Sequence, residues 1–353
     1  MIESRVSTAT QSKKVFQHVQ HAHCESGVTT NLLLHYGVSI TEPMAFGIGA
    51  GLFFGHIPFL KVSGTPGTTF RIWPGAIFKR VTSRLGIKMH SERFRSPEQA
   101  MKALDDLLAQ GVPVGMQTSV YYLPYLPEAF RFHFNAHNLV IFGKEGDEYL
   151  VSDPVMEVPA RIKAEDLQKA RFAKGMPEPK GHMYYVEQVG PKQDFSKAII
   201  DGIGQTCSYM VSPPMPWFGV NGIFTLAQKI RSYPRKLTSR KAALFLGNII
   251  RMQEEIGTGG AGFRYLFAAF LQEASEMLNR PDFEQFSEEL TAIGDTWRNF
   301  AYSAARIVKS RSSDLVTYDE LGDQLEAIGR AEKDFFKRLG KAVGQITWLP
   351  RLF

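Results

Sequence analysis

His23-Cys24-Glu25-Ser26-Gly27 opens an apolar helical pattern, Val28, Asn31, Leu32, Leu33, Leu34 and Tyr36, which Gly37 is placed to end. A thiolate is favoured at the start of a helix, where unpaired backbone N–H groups and the positive end of the helix dipole stabilise negative charge. Two later segments supply partners for it. His137 to Gly143 reads as a strand, Lys144-Glu145-Gly146-Asp147 as a turn, and Glu148 to Val151 as the returning strand, followed by Ser152-Asp153-Pro154. Two apolar runs around a Gly/Asp turn make a β-hairpin. His137 and Asp153 stand almost equally far from that turn, so antiparallel pairing brings them side by side.

Cysteine, histidine and aspartate in this arrangement are what a nucleophilic thiol needs. His137 takes the Cys24 proton, and the pair keeps the thiolate populated near neutral pH. Asp153 accepts from the other imidazole nitrogen and fixes its tautomer. The oxyanion formed on an attacked carbonyl needs donors. The Cys24 backbone N–H is one, and a side-chain amide just upstream, Gln20 or Gln17, is the natural second; spacing does not choose between them.

Further from the cysteine, the approach is polar, with Gln17, His18, Gln20, His21 and His23. The histidines are too close to Cys24 to wrap one ion, and no CxxC or HxxxH accompanies them, so no metal and no cofactor is expected. Residues 1–14 read as a polar arm without the apolar segment of a signal peptide. Met44 to Leu60 is apolar but holds His56, Pro58 and four glycines, and falls short of the ~20 residues of a spanning helix. It reads as buried strand and loop, with β-like runs over Ala45 to Phe54 and Thr69 to Trp73. Membrane association is not indicated. Ser96-Pro97-Glu98 starts a helix that Gly111 stops. Pro113 to Tyr122 reads as a strand and His182 to Val189 as another, with a short helix between them at Lys163 to Ala173.

Gly190-Pro191-Lys192 marks a boundary. Beyond it the periodicity is helical, with stripes such as Phe286, Leu290, Ile293, Trp297, Phe300 and Ala304. The chain of 353 residues therefore divides into an α+β domain at 1–190 and an all-helical domain at 191–353. Gly257-Thr258-Gly259-Gly260-Ala261-Gly262 matches G-x-G-x-x-G by the letter, but a helix precedes it instead of a strand, so no nucleotide cofactor is read from it. A formal charge of +6 with no recognised motif does not point to nucleic acid. The basic run Lys229, Arg231, Arg235, Lys236, Arg240 and Lys241 suits a solvated face or an acidic partner protein. Two cysteines and no secretion signal suggest free thiols and a cytoplasmic protein. A homodimer is compatible with all of this.

His23-Cys24-Glu25-Ser26 with Asn31-Leu32-Leu33, then Ile40-Thr41-Glu42-Pro43-Met44-Ala45-Phe46-Gly47-Ile48-Gly49, resembles the N-terminal domain of the butirosin biosynthesis protein H (BtrH) family. His137 to Gly143 and Val151 to Pro154 fit the same domain, and also resemble the His and Asp segments of bacteriocin-processing cysteine peptidases. Glu254 to Arg264 resembles the helical domain that commonly follows it. The resemblance implies a papain-like fold and acyl transfer from an acyl carrier protein thioester to an amine. Cys24, His137 and Asp153 fall on the motif positions, and Glu42 matches a motif residue of unassigned role. The expectation is an acyltransferase that takes its acyl group from a carrier-protein or CoA thioester and passes it to a small-molecule amine or hydroxyl. A peptidase or amidase that uses water is the alternative. Glu42, Phe46, Tyr121 and Tyr122 are candidates for contacts with substrate.

Overall fold

The computed structural model describes residues 15–62, 64–213, 215–309 and 316–344; the polar arm expected over residues 1–14 lies outside them. Helix α1 (Cys24–His35) and helix α2 (Glu42–Ile48) precede strands β1 (Leu52–Val62) and β2 (Thr65–Arg71). Next come α3 (Ala76–Arg84), β3 (Lys88–Glu92), α4 (Pro97–Ala109), β4 (Val114–Thr118), β5 (His137–Glu145), β6 (Glu148–Ser152), β7 (Ala160–Lys163), α5 (Ala164–Arg171) and β8 (Met183–Gln188). Helices α6 (Phe195–Val211), α7 (Gly219–Lys236), α8 (Ser239–Glu254), α9 (Arg264–Leu278), α10 (Pro281–Val308) and α11 (Tyr318–Ala342) follow. The fold class is α+β. No helix among the described residues is long and apolar enough to cross a membrane.

Strands β3 to β8 form one sheet in the order β3-β8-β4-β5-β6-β7, while β1 and β2 form a separate antiparallel ribbon. Alternate residues of the sheet point into a core of Val114, Met116, Leu139, Ile141, Val151 and Ile162, closed by Leu104 of α4 and Leu167 of α5. The local signals behave as read. Gly37 has φ +84° and ends α1, with its N–H donating to Leu34 O at 3.0 Å and Val38 N–H to Leu33 O at 3.0 Å. Ser96 caps α4 by accepting from the Gln99 N–H.

Two expectations need correction. The glycine-rich stretch read as a strand from Ala45 is helix α2 up to Ile48. Thr41 Oγ1 accepts from the Met44 N–H at 3.1 Å, and Pro43 occupies the first turn. The glycines serve helix packing: a Cβ on Gly47 would lie 2.1 Å from the Phe270 ring of α9, and one on Gly202 of α6 would lie 2.4 Å from Gly47 O. The strand read over Pro113 to Tyr122 ends at Thr118, and Val120–Tyr122 is a 3-10 turn.

By compactness the described chain forms two units, each discontinuous in sequence. The first takes the residues up to Gln20, Asn31–Ser39 and His90–Val186; it contains most of the sheet. The second takes His21–Thr30, Ile40–Met89 and the residues from Glu187 onward. The border at 186/187 falls close to Gly190-Pro191-Lys192. The second unit also holds the β1–β2 ribbon and α2, because these pack on α7, α8, α6 and α9.

Candidate active site

Within the second unit, Cys24 is the first residue of α1 and is 8% exposed. Residues on both sides of it are tied down. Upstream, Glu42 Oε2 accepts from the Ala22 N–H at 2.9 Å and Oε1 from the His23 N–H at 2.7 Å; Oε1 also accepts from Ser26 Oγ at 3.1 Å. Downstream, fully buried Glu25 accepts from the Ile77 N–H at 2.8 Å, at the start of α3, and pairs with the Arg71 guanidinium. Glu42 therefore braces the turn that presents the thiol. Its carboxylate is engaged with the backbone, which accounts for a motif glutamate that the sequence left without a role. Cys207, the second cysteine, is buried in α6, and burial pushes its thiol up.

The 257–262 segment belongs to the same arrangement. It joins α8 to α9 through a run of left-handed residues: Gly257, Gly259, Gly260, Ala261, Gly262 and Phe263 all have positive φ, from +50° to +90°. This conformation lets the loop lie against the approach to Cys24. A Cβ on Gly257 would stand 3.2 Å from Ala22 O, and one on Gly259 would stand 3.7 Å from Ala22 Cβ. The Phe263 ring stacks on Phe46 at 5.0 Å and meets the His23 imidazole edge-on at 5.1 Å. Arg264 holds the loop from beneath. It donates to Gly262 O at 2.8 Å and to both oxygens of Glu332 at 2.7 and 2.9 Å, with both side chains fully buried. Trp297 Nε1 completes the network by donating to Glu332 Oε1 at 2.6 Å.

Within the first unit, His137 opens β5 opposite Thr118, and Asp153 follows the end of β6. His137 Nε2 lies 2.7 Å from Asp153 Oδ2, as the hairpin geometry implied. Asp153 is fully buried. Tyr125 Oη donates to the same oxygen at 2.9 Å, and the Val155 N–H donates to Oδ1 at 3.2 Å. Burial, with Asp153 beside it, pushes the Tyr125 phenol well up, so it acts as a donor. Nothing in the spacing of Tyr121-Tyr122-Leu123-Pro124-Tyr125 singled it out. Asn31, two turns along α1 from Cys24, donates to Val19 O at 3.0 Å and to Ser152 Oγ at 3.4 Å.

The remaining candidates fall in different places. Gln17 and Gln20 are exposed, and the Gln20 amide lies 3.5 Å from Val155 O. Phe46 is fully buried and serves the core. Tyr121 is 44% exposed and stacks on His133 at 4.2 Å, while Tyr122 packs against the sheet core. Of the histidines near Cys24, His18 bonds to Ser152 and Met156 O, His21 lies 3.7 Å from Glu42, and His23 bonds to Ser26 and meets Phe263 edge-on.

Comparison with known proteins supplies a family. Residues 23–154 match the model described as butirosin biosynthesis protein H, N-terminal, and residues 165–339 match a domain of unknown function, DUF4872. None of the curated proteins compared matches the chain. Among solved structures, a protein of Bacillus anthracis described as a C39-like peptidase is 16% identical, covering 50% of this chain and 97% of its own, with a TM-score of 0.35. The cysteine turn and the His137–Asp153 pair both lie inside the first matched segment, the glycine loop and Arg264 inside the second. The chain is BtrH-like: residues 23–154 match the butirosin biosynthesis protein H N-terminal family, and the DUF4872 match follows over residues 165–339.

Proposed function

We propose that this protein is a cysteine-dependent acyltransferase of papain-like design. Cys24 is the nucleophile, His137 its base through Nδ1, and Asp153 the group that orients the imidazole from Nε2. In the first step the Cys24 sulfur attacks an acyl thioester of a carrier protein or CoA. A new thioester forms on Cys24, and the donor thiol leaves with a proton. In the second step an amine or hydroxyl attacks the acyl-Cys24 carbonyl; the amide or ester leaves and the thiol is restored. The oxyanion in each step is held by the Cys24 N–H with Gln20 or Gln17.

The observation that carries this reading is the buried His137–Asp153 pair at 2.7 Å, braced by Tyr125, in a chain that fastens a cysteine at a helix start. An exposed pair at that distance would be a surface contact. A buried imidazole whose one nitrogen is committed to a carboxylate is set up to hold and release a proton at the other. The match to a butirosin biosynthesis protein supports a role in biosynthesis.

The test is intact-protein mass after incubation with acyl-CoA and acyl-carrier-protein thioesters, for wild type, Cys24→Ala and His137→Ala. The expected result is one acyl adduct on wild type, none on Cys24→Ala, and release of the adduct by amines faster than by water. Release by water alone would make the protein a hydrolase. An unlabelled but alkylatable Cys24 would overturn the transfer reading.

A further inference from the structure

The β1–β2 ribbon ends in an apolar projection. In its register Ile57 stands opposite Gly67, and Lys61 stands opposite Pro66, the neighbour of Gly67 in β2. Residues 58–60 are therefore looped out of the pairing in a bulge. Lys61 takes the position directly after Ile57. Strand positions two apart share a face, so the bulge turns Lys61 onto the face of His56; in a regular strand it would point to the other side. The bulge also lifts Phe59 and Leu60 away from the ribbon. Phe59 is 68% exposed, Leu60 41% and Val62 51%. The Leu60 and Val62 side chains lie together over Gly67, where a Cβ would stand 3.6 Å from Leu60 Cδ2 and 3.7 Å from Val62 Cγ2. Phe59 meets the Trp217 ring edge-on at 5.1 Å.

The surroundings are positive. Residues 43–91 and 202–253 include the ribbon, α7 and all of α8 but its last residue. Together they hold thirteen lysines and arginines and no aspartate or glutamate, whereas the rest of the chain holds more carboxylates than cations. Arg235, Lys236, Arg240 and Lys241 flank the turn from α7 to α8, and all four are exposed. Arg240 and Lys241 stand in the first turn of α8, at the positive end of its dipole, where a cation is unfavourable. Distances tie this turn to the ribbon. The Lys61 ammonium sits 4.9 Å from the centre of the Phe245 ring of α8, and the Lys241 ammonium sits 6.0 Å from the same ring. Leu244, beside Phe245 and three residues from Lys241, is 58% exposed. Exposed apolar side chains and exposed cations therefore share one patch.

We propose that the ribbon end and the α7–α8 turn form a contact surface for an anionic lipid leaflet. The lipid headgroups balance the cations, including the two at the start of α8. Phe59, Leu60, Val62 and Leu244 enter the boundary between headgroups and acyl chains. Trp217, half-buried beside Phe59, belongs to a residue type suited to the headgroup level. Such a contact lies on the membrane and needs no spanning segment. An acidic protein would offer the same charge, but side chains this exposed project from the surface instead of lining a cleft. A protein would have to present pockets shaped to them, whereas a leaflet closes around them. The proposal does not depend on the role of Cys24.

Co-flotation of the full chain with vesicles tests it. One set is phosphatidylcholine alone, and the other is phosphatidylcholine and phosphatidylglycerol in a three-to-one ratio. Binding is expected to the mixed vesicles, weakly or not at all to the neutral ones, and it should fall in concentrated sodium chloride. Phe59→Ser/Leu60→Ser should weaken it about tenfold or more, and Lys61→Gln/Lys241→Gln by a similar factor, each with the thermal midpoint of the free protein kept. Should the first variant fold poorly, the second, which changes only exposed side chains, carries the test. No binding to the mixed vesicles would overturn the proposal, as would equal binding to both sets or undiminished binding by either folded variant. Binding to soluble polyglutamate with none to vesicles would assign the patch to an acidic protein and overturn it as well.

Discussion

Glu42→Gln removes one oxygen from a carboxylate whose two oxygens each face a backbone N–H, Ala22 N at 2.9 Å and His23 N at 2.7 Å. Whichever way the new amide flips, its NH2 group points at a donor. The cheaper flip sacrifices the partly buried Ala22 bond and keeps the buried His23 and Ser26 bonds on the carbonyl oxygen. A hydrogen bond to a charged group contributes about 1.5–3 kcal/mol, so the variant should lose roughly that much stability. Glu42→Ala loses all three bonds and should cost more. The assay has two arms. Urea unfolding at fixed pH gives the change in midpoint, read at unchanged slope. Alkylation by iodoacetamide, followed by peptide mass spectrometry, reports how the turn holds Cys24, with buried Cys207 as the internal control. Cys24 should be modified at a changed rate while Cys207 stays unlabelled in the folded protein. A Glu42→Gln protein within 0.5 kcal/mol of wild type, roughly the scatter of ordinary surface substitutions, and with an unchanged Cys24 rate, would refute the bracing role.

The buried Arg264–Glu332 pair should behave as a unit: Glu332→Gln or Arg264→Met alone is expected to cost about 3–5 kcal/mol by urea midpoint, and Arg264→Met/Glu332→Leu to recover much of it. Tyr125→Phe strips a donor from buried Asp153 and should cost about 1.5–3 kcal/mol in the same measurement, with a slower acyl transfer step. Acid should destabilise the protein. Burial is the main cause that holds His56 and His182 down at about 4, against about 6.5 in the unfolded chain, so between these values the unfolded state binds the extra protons. Stability therefore rises with pH through this window and is lost as pH falls from 6.5 toward 4. At pH 5.5 the loss is about 1.4 kcal/mol for each histidine. Urea midpoints at pH 7.5 and 5.5 check this, and His56→Gln should remove about half of the difference.

Much of the candidate site could be read from local pattern. The start of α1 at Cys24 and its end at Gly37 depend on hydrogen bonds within a few residues. The approach of His137 and Asp153 depends on one hairpin whose turn lies between them. What escaped was decided by partners far along the chain. Gly47 looks like a strand breaker until Phe270 is seen against it, and the helix that contains it is inseparable from α9. Glu42 carries no sign that its oxygens will meet the amides of residues 22 and 23. Tyr125 reads as one tyrosine among three. The glycines at 257–262 carry no sign that the turn they form between α8 and α9 would lie against Ala22.

The sequence by itself therefore determined most of the elements, the ends of α1 and the start of α4, the order of cysteine, histidine and aspartate, and the likeness to the BtrH family. These follow from periodicity, capping and turn chemistry, which act over one or two turns of chain. Only the tertiary structure decided which groups hold Cys24 in place, which hydroxyl braces Asp153, and onto which face of its ribbon Lys61 is turned. Those outcomes depend on buried hydrogen bonds, ring packing and a shift of register between segments up to 200 residues and more apart, and such contacts leave no local trace in either segment.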